Sequence, residues 1–195
     1  MEAFGRIHPS QRHYRQWDQM SETEHDLHRR DIADLHIATA ERYEHSAIFL
    51  HPNPADEDEA ARQIDAVRDR SGDRYFLMIH GDATWSIPGG DRMVEFAMRI
   101  AEDPQALKDE ARRRVDAAIA RARRLKKHAS LDGFAMCADY CLNEGPFLSP
   151  AQFAEFVAPY LRDLIAAYRE MGYYTIKHTD GDILPIIDQI IDANP

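Results

Sequence analysis

The chain has 195 residues, of which 44% are hydrophobic and 30% are charged, and its formal net charge is -10 at pH 7. This size and composition predict one globular domain with a buried core, and the acidic balance argues against a nucleic-acid binder, which needs clustered Lys and Arg. No apolar run approaches the roughly 18 residues that span a bilayer, and the N-terminus lacks a signal-peptide core. We therefore expect no membrane association and a cytoplasmic location.

The first part of the chain predicts a helix, a strand and a second helix. Residues 21–43 open with Ser21 and Glu24 in capping-box spacing and carry a loosely helical apolar stripe. The short apolar run 47–50 follows, and the prolines after His51 stop it as a strand. Residues 55–70 then read as an acidic helix that ends at Ser71-Gly72.

The middle of the chain repeats the alternation. The continuous apolar run "RYFLMIHGD" predicts a strand covered on both faces, ending at His80, Gly81 and Asp82. A long helical region follows, broken at Asp103-Pro104 and running to about His128. Its basic end, "RARRLKKH", suits the negative end of a helix dipole, so a solvated helix terminus explains it without a nucleic-acid partner.

The last part of the chain predicts two more strands around the best-specified helix. "LDGFAMCADYC" is the third strand and carries both cysteines, which are placed along it and are not expected to form a disulfide. A helix begins at Ser149-Pro150 with a capping-box Gln152, and Pro159 should kink it. The fourth strand is 173–178, and the helix after it is predicted to be capped by Asp182, with Pro185 in its first turn.

Four strands that alternate with helices predict parallel βαβ units and an α/β fold. The strands lack glycine-rich phosphate loops, which favours a barrel over a nucleotide-binding sheet. We predict a partial (β/α)8 TIM-type barrel with about four parallel strands and outer helices, in one domain over 1–195. Residues 1–43 are its helical lead-in and 44–195 its four βα units. A whole barrel takes about 250 residues, so this one is incomplete, and its open strand edges favour a homo-oligomer.

Parallel β/α folds place their active sites at the carboxyl ends of the strands, and polar residues stand there in this chain. Residues two apart on a strand share a face. The predicted catalytic residues are His80, Asp82, Asp139 and Tyr140, and the predicted metal ligands are His178 and Asp180.

The same parity predicts where the neighbouring side chains point. His178 and Asp180 should lie on the same side of the sheet as His80 and Asp82, above Tyr174 and Ile176 in the barrel interior, while Lys177 has the opposite parity and faces the helix layer.

A structural interpretation of the same residues remains open. Any one of these histidines is equally well explained as a strand-end residue bonded to a neighbouring loop. Asp182 is more simply a helix cap than a catalyst, and Gly181 relieves the backbone at a turn.

Residues 131–193 resemble the uroporphyrinogen decarboxylase superfamily. The resemblance lies in the loop "GPFLSP", in the helix "FAEFVAPYLRDLIAA" and in the strand ending "HTDG", and it is weaker over 44–128. It implies an eight-stranded β/α barrel that belongs to an enzyme, either a cofactor-free decarboxylase of uroporphyrinogen or a zinc-dependent methyltransferase between corrinoids and thiols.

Two departures from the family pattern favour methyl transfer. The first strand ends at His51 where a decarboxylase has an aspartate, and the decarboxylases' arginine-rich N-terminal segment is not evident. The methyltransferases hold zinc through a His-x-Cys pair and a later cysteine, and here that pair is His178 and Asp180. We expect a methyltransferase-like enzyme with zinc, a corrinoid on a partner protein and a small-molecule or tetrapyrrole-type substrate.

Two alternatives stay open. The first is the decarboxylase of porphyrin biosynthesis, a lyase that needs no cofactor and would protonate the substrate carbon with an acid at the strand ends. The second is a non-catalytic barrel remnant that only binds a partner.

Overall fold

The computed structural model describes residues 17–54 and 56–195. Helices and strands alternate along most of this length, as the sequence predicts. The helices are α1 Glu22–Arg42, α2 Glu57–Ser71, α3 Arg92–Glu102, α4 Pro104–His128, α5 Pro150–Phe156, α6 Ala158–Glu170 and α7 Ile187–Asp192. The strands are β1 Ala47–Phe49, β2 Phe76–His80, β3 Gly133–Met136, β4 Cys141–Leu142, β5 Gly145–Pro146 and β6 Tyr174–Lys177. Short 3-10 turns cover Trp17–Gln19, Gly72–Arg74 and Leu184–Ile186.

Several helix boundaries agree with the local signals in the sequence. The capping boxes form at both predicted places, where Ser21 and Ser149 accept from backbone N–H groups at the third helical position. The long helical region breaks at Asp103, which ends α3 and precedes α4. The kink expected from Pro159 is a full interruption, because α5 ends and α6 begins around Val157.

The main sheet has four parallel strands in the order β1-β2-β3-β6. β1 pairs with β2 in parallel, with Ala47 opposite Phe76 and Phe49 opposite Met78. The α/β class with a four-stranded parallel sheet and flanking helices is thereby confirmed. Membership of a larger barrel stays a prediction.

The third strand is shorter than predicted. β3 ends at Met136, and Cys141 lies in a separate two-residue strand, β4, which pairs antiparallel with β5. The prediction that Cys137 and Cys141 share one strand is therefore wrong. Its expected consequence holds, because both cysteines are free.

Contacts within the chain divide it into two compact units, one formed by the described residues up to Ile79 with Arg124–Gly133, the other by His80–Arg123 with Phe134–Pro195. In the first unit α1 packs against α2, and the buried Arg29 guanidinium donates from Nε to Glu59 Oε1 and from Nη2 to Glu59 Oε2. The single domain over 1–195 stays a prediction.

None of the helices within 17–54 and 56–195 combines the length and the apolar composition needed to cross a membrane.

The second unit has its own apolar core, formed mainly by the loop after β3 and by α5, α6 and α7. Its buried members include Tyr140, Leu148, Phe153, Phe156 and Ile190. On the edge strand β6, by contrast, Tyr174 is 68% exposed and Ile176 is 45% exposed. Within the described residues these two side chains are therefore not part of a filled core, and their place in the interior of a larger barrel stays a prediction.

Candidate functional site

Three predicted site residues come together beyond the ends of β3 and β6. One ligand atom from each of Asp139, His178 and Asp180 lies within 4.8 Å of the others. His178 Nε2 is 3.5 Å from Asp180 Oδ1, and the backbone N–H of Asp180 donates to Asp139 Oδ1 at 3.1 Å. We call these three residues the rim cluster. His178 and Asp180 are exposed, with side chains 60% and 76% accessible, so a ligand in solution can reach them.

The rim cluster is positioned by bonds between the loops that carry it. The backbone N–H of Tyr140, next to Asp139, donates to Thr179 Oγ1 at 3.1 Å. Gly181 closes the turn after Asp180 with a φ of 86°. A Cβ on Gly181 would lie 2.5 Å from the carbonyl oxygen of Cys141, so only glycine fits.

A buried ion pair lies beside the rim cluster. Lys177 Nζ donates to Asp82 Oδ2 at 3.0 Å, and the two side chains are only 4% and 6% exposed. The ammonium also donates to three backbone carbonyls, those of Met136, Ala138 and His178, at 2.8 to 3.0 Å. An ammonium has three N–H donors, so these four acceptors satisfy it completely.

The ion pair holds the backbone on both sides of the rim cluster. The N–H of Ala138 donates to Asp82 Oδ2 at 3.0 Å, while the carbonyl of Ala138 accepts from Lys177. Both backbone groups of the residue before Asp139 are thus bonded to the pair, and so is the carbonyl of His178. The pair therefore sets the separation between the two loops that supply the cluster.

The surroundings shift the pKa of each partner. Burial opposes the charge on Asp82, but the Lys177 ammonium and the hydrogen bonds from Thr84 outweigh it, so the pKa of Asp82 lies below its ordinary value. Burial is the largest influence on Lys177 and lowers its pKa, against the attraction of Asp82.

Tyr140 belongs to the same buried network. Its hydroxyl lies 2.7 Å from Thr84 Oγ1, and Thr84 donates from its backbone N–H and its hydroxyl to Asp82 Oδ1. Burial and then the Asp82 charge raise the pKa of Tyr140 well above its ordinary value. Its phenol is therefore neutral, and the Lys177 ammonium lies 4.2 Å from the centre of its ring.

The structure separates the predicted pair His80 and Asp82. His80 is exposed at the end of β2, whereas Asp82 has left the strand and its side chain is buried against Lys177. The prediction that His80, Asp82, His178 and Asp180 lie on one side of the sheet stays a prediction, but Asp82 lies beyond the end of β2 and its carboxylate is bonded to Lys177 and not to the rim cluster. Partial desolvation lowers the pKa of His80, and the Asp82 charge opposes that shift.

Lys177 and Thr84 are the residues of this site that sequence reasoning missed as site residues. The sequence does carry a signal for Lys177, because it is a lysine inside a predicted strand. A lysine that is buried in such a position is nearly always paired, so its presence there points to a partner. The sequence carries no comparable signal for Thr84, whose partners Asp82 and Tyr140 come from different loops.

The donor set of the rim cluster fits a divalent cation. Two carboxylates and one imidazole are ligands of zinc, manganese or iron(II), and three protein ligands leave coordination positions open for substrate. Ligands about 2.1 Å from zinc are separated by roughly 3 to 3.5 Å, so small side-chain rotations would bring the cluster to that geometry. Cys137 is half-buried nearby, and burial raises the pKa of its thiol, which disfavours the thiolate that zinc binds.

Comparison with known proteins returns no family model, curated protein or solved structure that matches this chain. The resemblance of residues 131–193 to the uroporphyrinogen decarboxylase superfamily therefore remains an inference from motifs.

Proposed function

We propose that the chain carries the active site of a metal-assisted group-transfer enzyme, with the rim cluster as the metal site. The observation that carries the proposal is the convergence of Asp139, His178 and Asp180 within 4.8 Å, on loops that leave two neighbouring parallel strands. Sites of α/β enzymes are built at such strand ends because the loops there can vary without disturbing the sheet.

Each residue of the cluster has a distinct task in this proposal. His178 would supply an imidazole nitrogen as a ligand, and Asp139 and Asp180 would supply carboxylate oxygens that compensate the charge of a divalent cation. Asp139 Oδ1 also accepts from the backbone N–H of Asp180. This bond orients the Asp139 carboxylate relative to the loop that carries Asp180. A bound zinc ion would act as a Lewis acid and lower the pKa of a coordinated thiol or water.

The buried pair supports the cluster without touching substrate. Asp82 and Lys177 hold the backbone before Asp139 and at His178, so they are positioning residues, and Tyr140 belongs to the same support. This gives Asp82 and Tyr140 a different role from the direct catalysis predicted for them.

The transferred group is proposed to be methyl. The support is the resemblance to the methyltransferases of the uroporphyrinogen decarboxylase superfamily, together with an imidazole and a carboxylate at the position of their His-x-Cys pair. The corresponding partners are a methylated corrinoid protein and a small thiol substrate. The hard carboxylate makes zinc binding weaker than a thiolate would, since zinc is a borderline-soft ion.

Zinc titration tests the metal site directly. A chromogenic chelator in competition with the protein should show a single zinc ion per chain. His178→Gln and Asp180→Asn should each weaken binding at least about tenfold, because each removes one of three ligands. His128→Gln is the matched control, since His128 is an exposed histidine at the end of α4 and should not matter.

Turnover separates the proposed reaction from its alternatives. With methylcobalamin as donor and a thiol as acceptor, loss of methylcobalamin absorbance should require zinc and His178. Zinc affinity that is the same in His178→Gln and in the unsubstituted protein would refute the metal site. Decarboxylation of uroporphyrinogen that does not depend on added zinc would favour the cofactor-free lyase instead.

A further inference from the structure

A second cleft, separate from the rim cluster, lies within the second compact unit between the loop after β2 and the helices α3 and α4. Its volume is about 300 Å³, at the small end of the range for small-molecule sites. Its apolar wall consists of Trp85, Ile87, Pro88 and Phe96. Its charged wall consists of Arg92, Glu95, Arg99, Glu110 and Arg114.

The charged wall has more cationic than anionic groups, in a protein whose net charge is -10. Arg99 is neutralised, because its Nη2 lies 2.7 Å from Glu110 Oε2. Arg92 and Arg114 have no carboxylate within ion-pair distance among residues 17–54 and 56–195. Two guanidinium groups therefore line one cleft, and no carboxylate from the described part of the chain is paired to either of them.

The conformation of Arg114 is set by contacts that leave most of its donors available. Its guanidinium carbon lies 4.5 Å from the centre of a Trp85 ring, and Nη2 donates to the carbonyl of Thr84 at 3.2 Å. A guanidinium has five N–H donors, and this is the only hydrogen bond that Arg114 makes to a residue within 17–54 and 56–195. Stacking on the Trp85 indole holds the planar Arg114 guanidinium in place without a carboxylate. The side chain therefore loses less conformational entropy when an anion binds.

Trp85 supplies an independent observation. Its indole Nε1 is buried and has no hydrogen-bond acceptor in the described part of the chain. Buried polar groups without partners are rare in folded proteins and frequently mark a place where a ligand or water belongs. Among the described residues, the Trp85 indole N–H is thus a donor without an acceptor, in a side chain that lines the cleft.

We propose that this cleft binds a small organic anion, a molecule with a carboxylate or phosphate group on an apolar body. The anionic group would bond to Arg92 and Arg114, since guanidinium matches carboxylate and phosphate oxygens in a bidentate geometry. The apolar body would lie against Trp85 and Phe96, whose rings meet edge to face at 5.2 Å. The inference does not depend on the metal site, because the two sites have no residue in common.

Trp85 also provides the means of measurement. The chain has two tryptophans, so Trp17→Phe leaves Trp85 as the only one. Phenyl phosphate and benzoate are the anionic probes, inorganic phosphate tests the charge alone, and benzyl alcohol tests the apolar body alone. Both anionic probes should produce a saturable change in Trp85 fluorescence. Both should also bind with higher affinity than inorganic phosphate or benzyl alcohol.

Substitutions decide whether the response belongs to the cleft. Arg92→Gln and Arg114→Gln should each weaken binding of phenyl phosphate at least about tenfold, as expected for loss of a charge-assisted hydrogen bond. Arg113→Gln is the matched control, because Arg113 is exposed on the same helix, does not line the cleft and carries the same charge. Arg92 is exposed at the start of α3, so its substitution tests binding without endangering the fold.

Three outcomes would overturn the proposal. One is the lack of any saturable change in fluorescence at millimolar probe. Another is equal weakening by Arg113→Gln and Arg92→Gln, which would mean that only overall charge matters. The third is inorganic phosphate binding as tightly as phenyl phosphate, which would show that the apolar wall takes no part.

Discussion

Replacement of Lys177 by methionine tests the central support of the candidate site. Methionine keeps the length and the apolar stem of the side chain but removes the ammonium. Asp82, which is 6% exposed, would lose its cationic partner, and the carbonyls of Met136, Ala138 and His178 would lose a donor. The perturbation thus leaves a buried carboxylate without its cation and removes a donor from the Ala138 and His178 carbonyls, while the Met136 carbonyl still accepts from the N–H of His178.

The expected cost follows from the contacts that remain. Breaking a buried ion pair by removing one partner typically costs about 3 to 5 kcal/mol. Asp82 still accepts from the N–H and hydroxyl of Thr84 and from the N–H of Ala138. These bonds continue to stabilise the carboxylate. We therefore expect the free energy of unfolding to fall by about 3 kcal/mol, near the lower end of that range.

Urea unfolding followed by circular dichroism measures this loss. The control is Lys108→Met, which removes an ion pair of 2.5 Å with Glu155 whose side chains are 31% and 49% exposed. A pair this accessible to solvent should contribute no more than about 1 kcal/mol. If Lys177→Met costs no more than that control, the buried pair does not hold the site together and the reasoning is wrong.

A double-mutant cycle separates the pair from the rest of the network. With Asp82→Asn as the second change, the double variant should be less destabilised than the sum of the two single variants, because no unpaired charge stays buried. In Lys177→Met, zinc affinity should also fall, since the separation between the loops of Asp139 and His178 is no longer set. Additive effects on stability together with an unchanged zinc affinity would contradict the positioning role.

Three further predictions follow from single features. Because the pKa of Asp82 is lowered on folding, its contribution to stability is present above its ordinary pKa of 3.8 and is lost as the pH falls through the lower folded value. In acid, the free energy of unfolding should therefore depend less steeply on pH in Asp82→Asn than in the unsubstituted protein. Gly181→Ala should cost at least about 1 to 2 kcal/mol in urea unfolding because of its positive φ and the close Cys141 carbonyl, whereas Gly89→Ala, with its nearest neighbour at 3.7 Å, should be neutral. The exposed edge strand β6 should make the chain self-associate in sedimentation velocity, and Ile176→Lys should favour the monomer where the control Val94→Lys, at an exposed α3 position, does not.

Local signals in the sequence were sufficient for most element boundaries. Ser21 and Ser149 start helices because a side-chain oxygen can satisfy orphan N–H groups within a few residues, and Asp103-Pro104 divides α3 from α4 for an equally local reason. The last helix shows the limit of such signals. Asp182 was predicted as its cap, but Ile183 is the residue at the cap position of the 3-10 turn. Asp182, one residue earlier, accepts from the N–H of Leu184, the first residue of that turn.

The sequence by itself determined the α/β alternation and that polar residues gather at the strand ends, since both follow from periodicity and chain order. Only the tertiary structure decided which of those residues meet. Strand parity is a local rule that applies while the chain is extended, and it stopped applying to Asp82 once the chain left β2. Burial of Lys177 depends on acceptors from Asp82, Met136 and Ala138, which are 39 to 95 residues away along the chain. Such a balance between desolvation and pairing is set by the fold as a whole, because no local pattern records which distant groups will surround a charge.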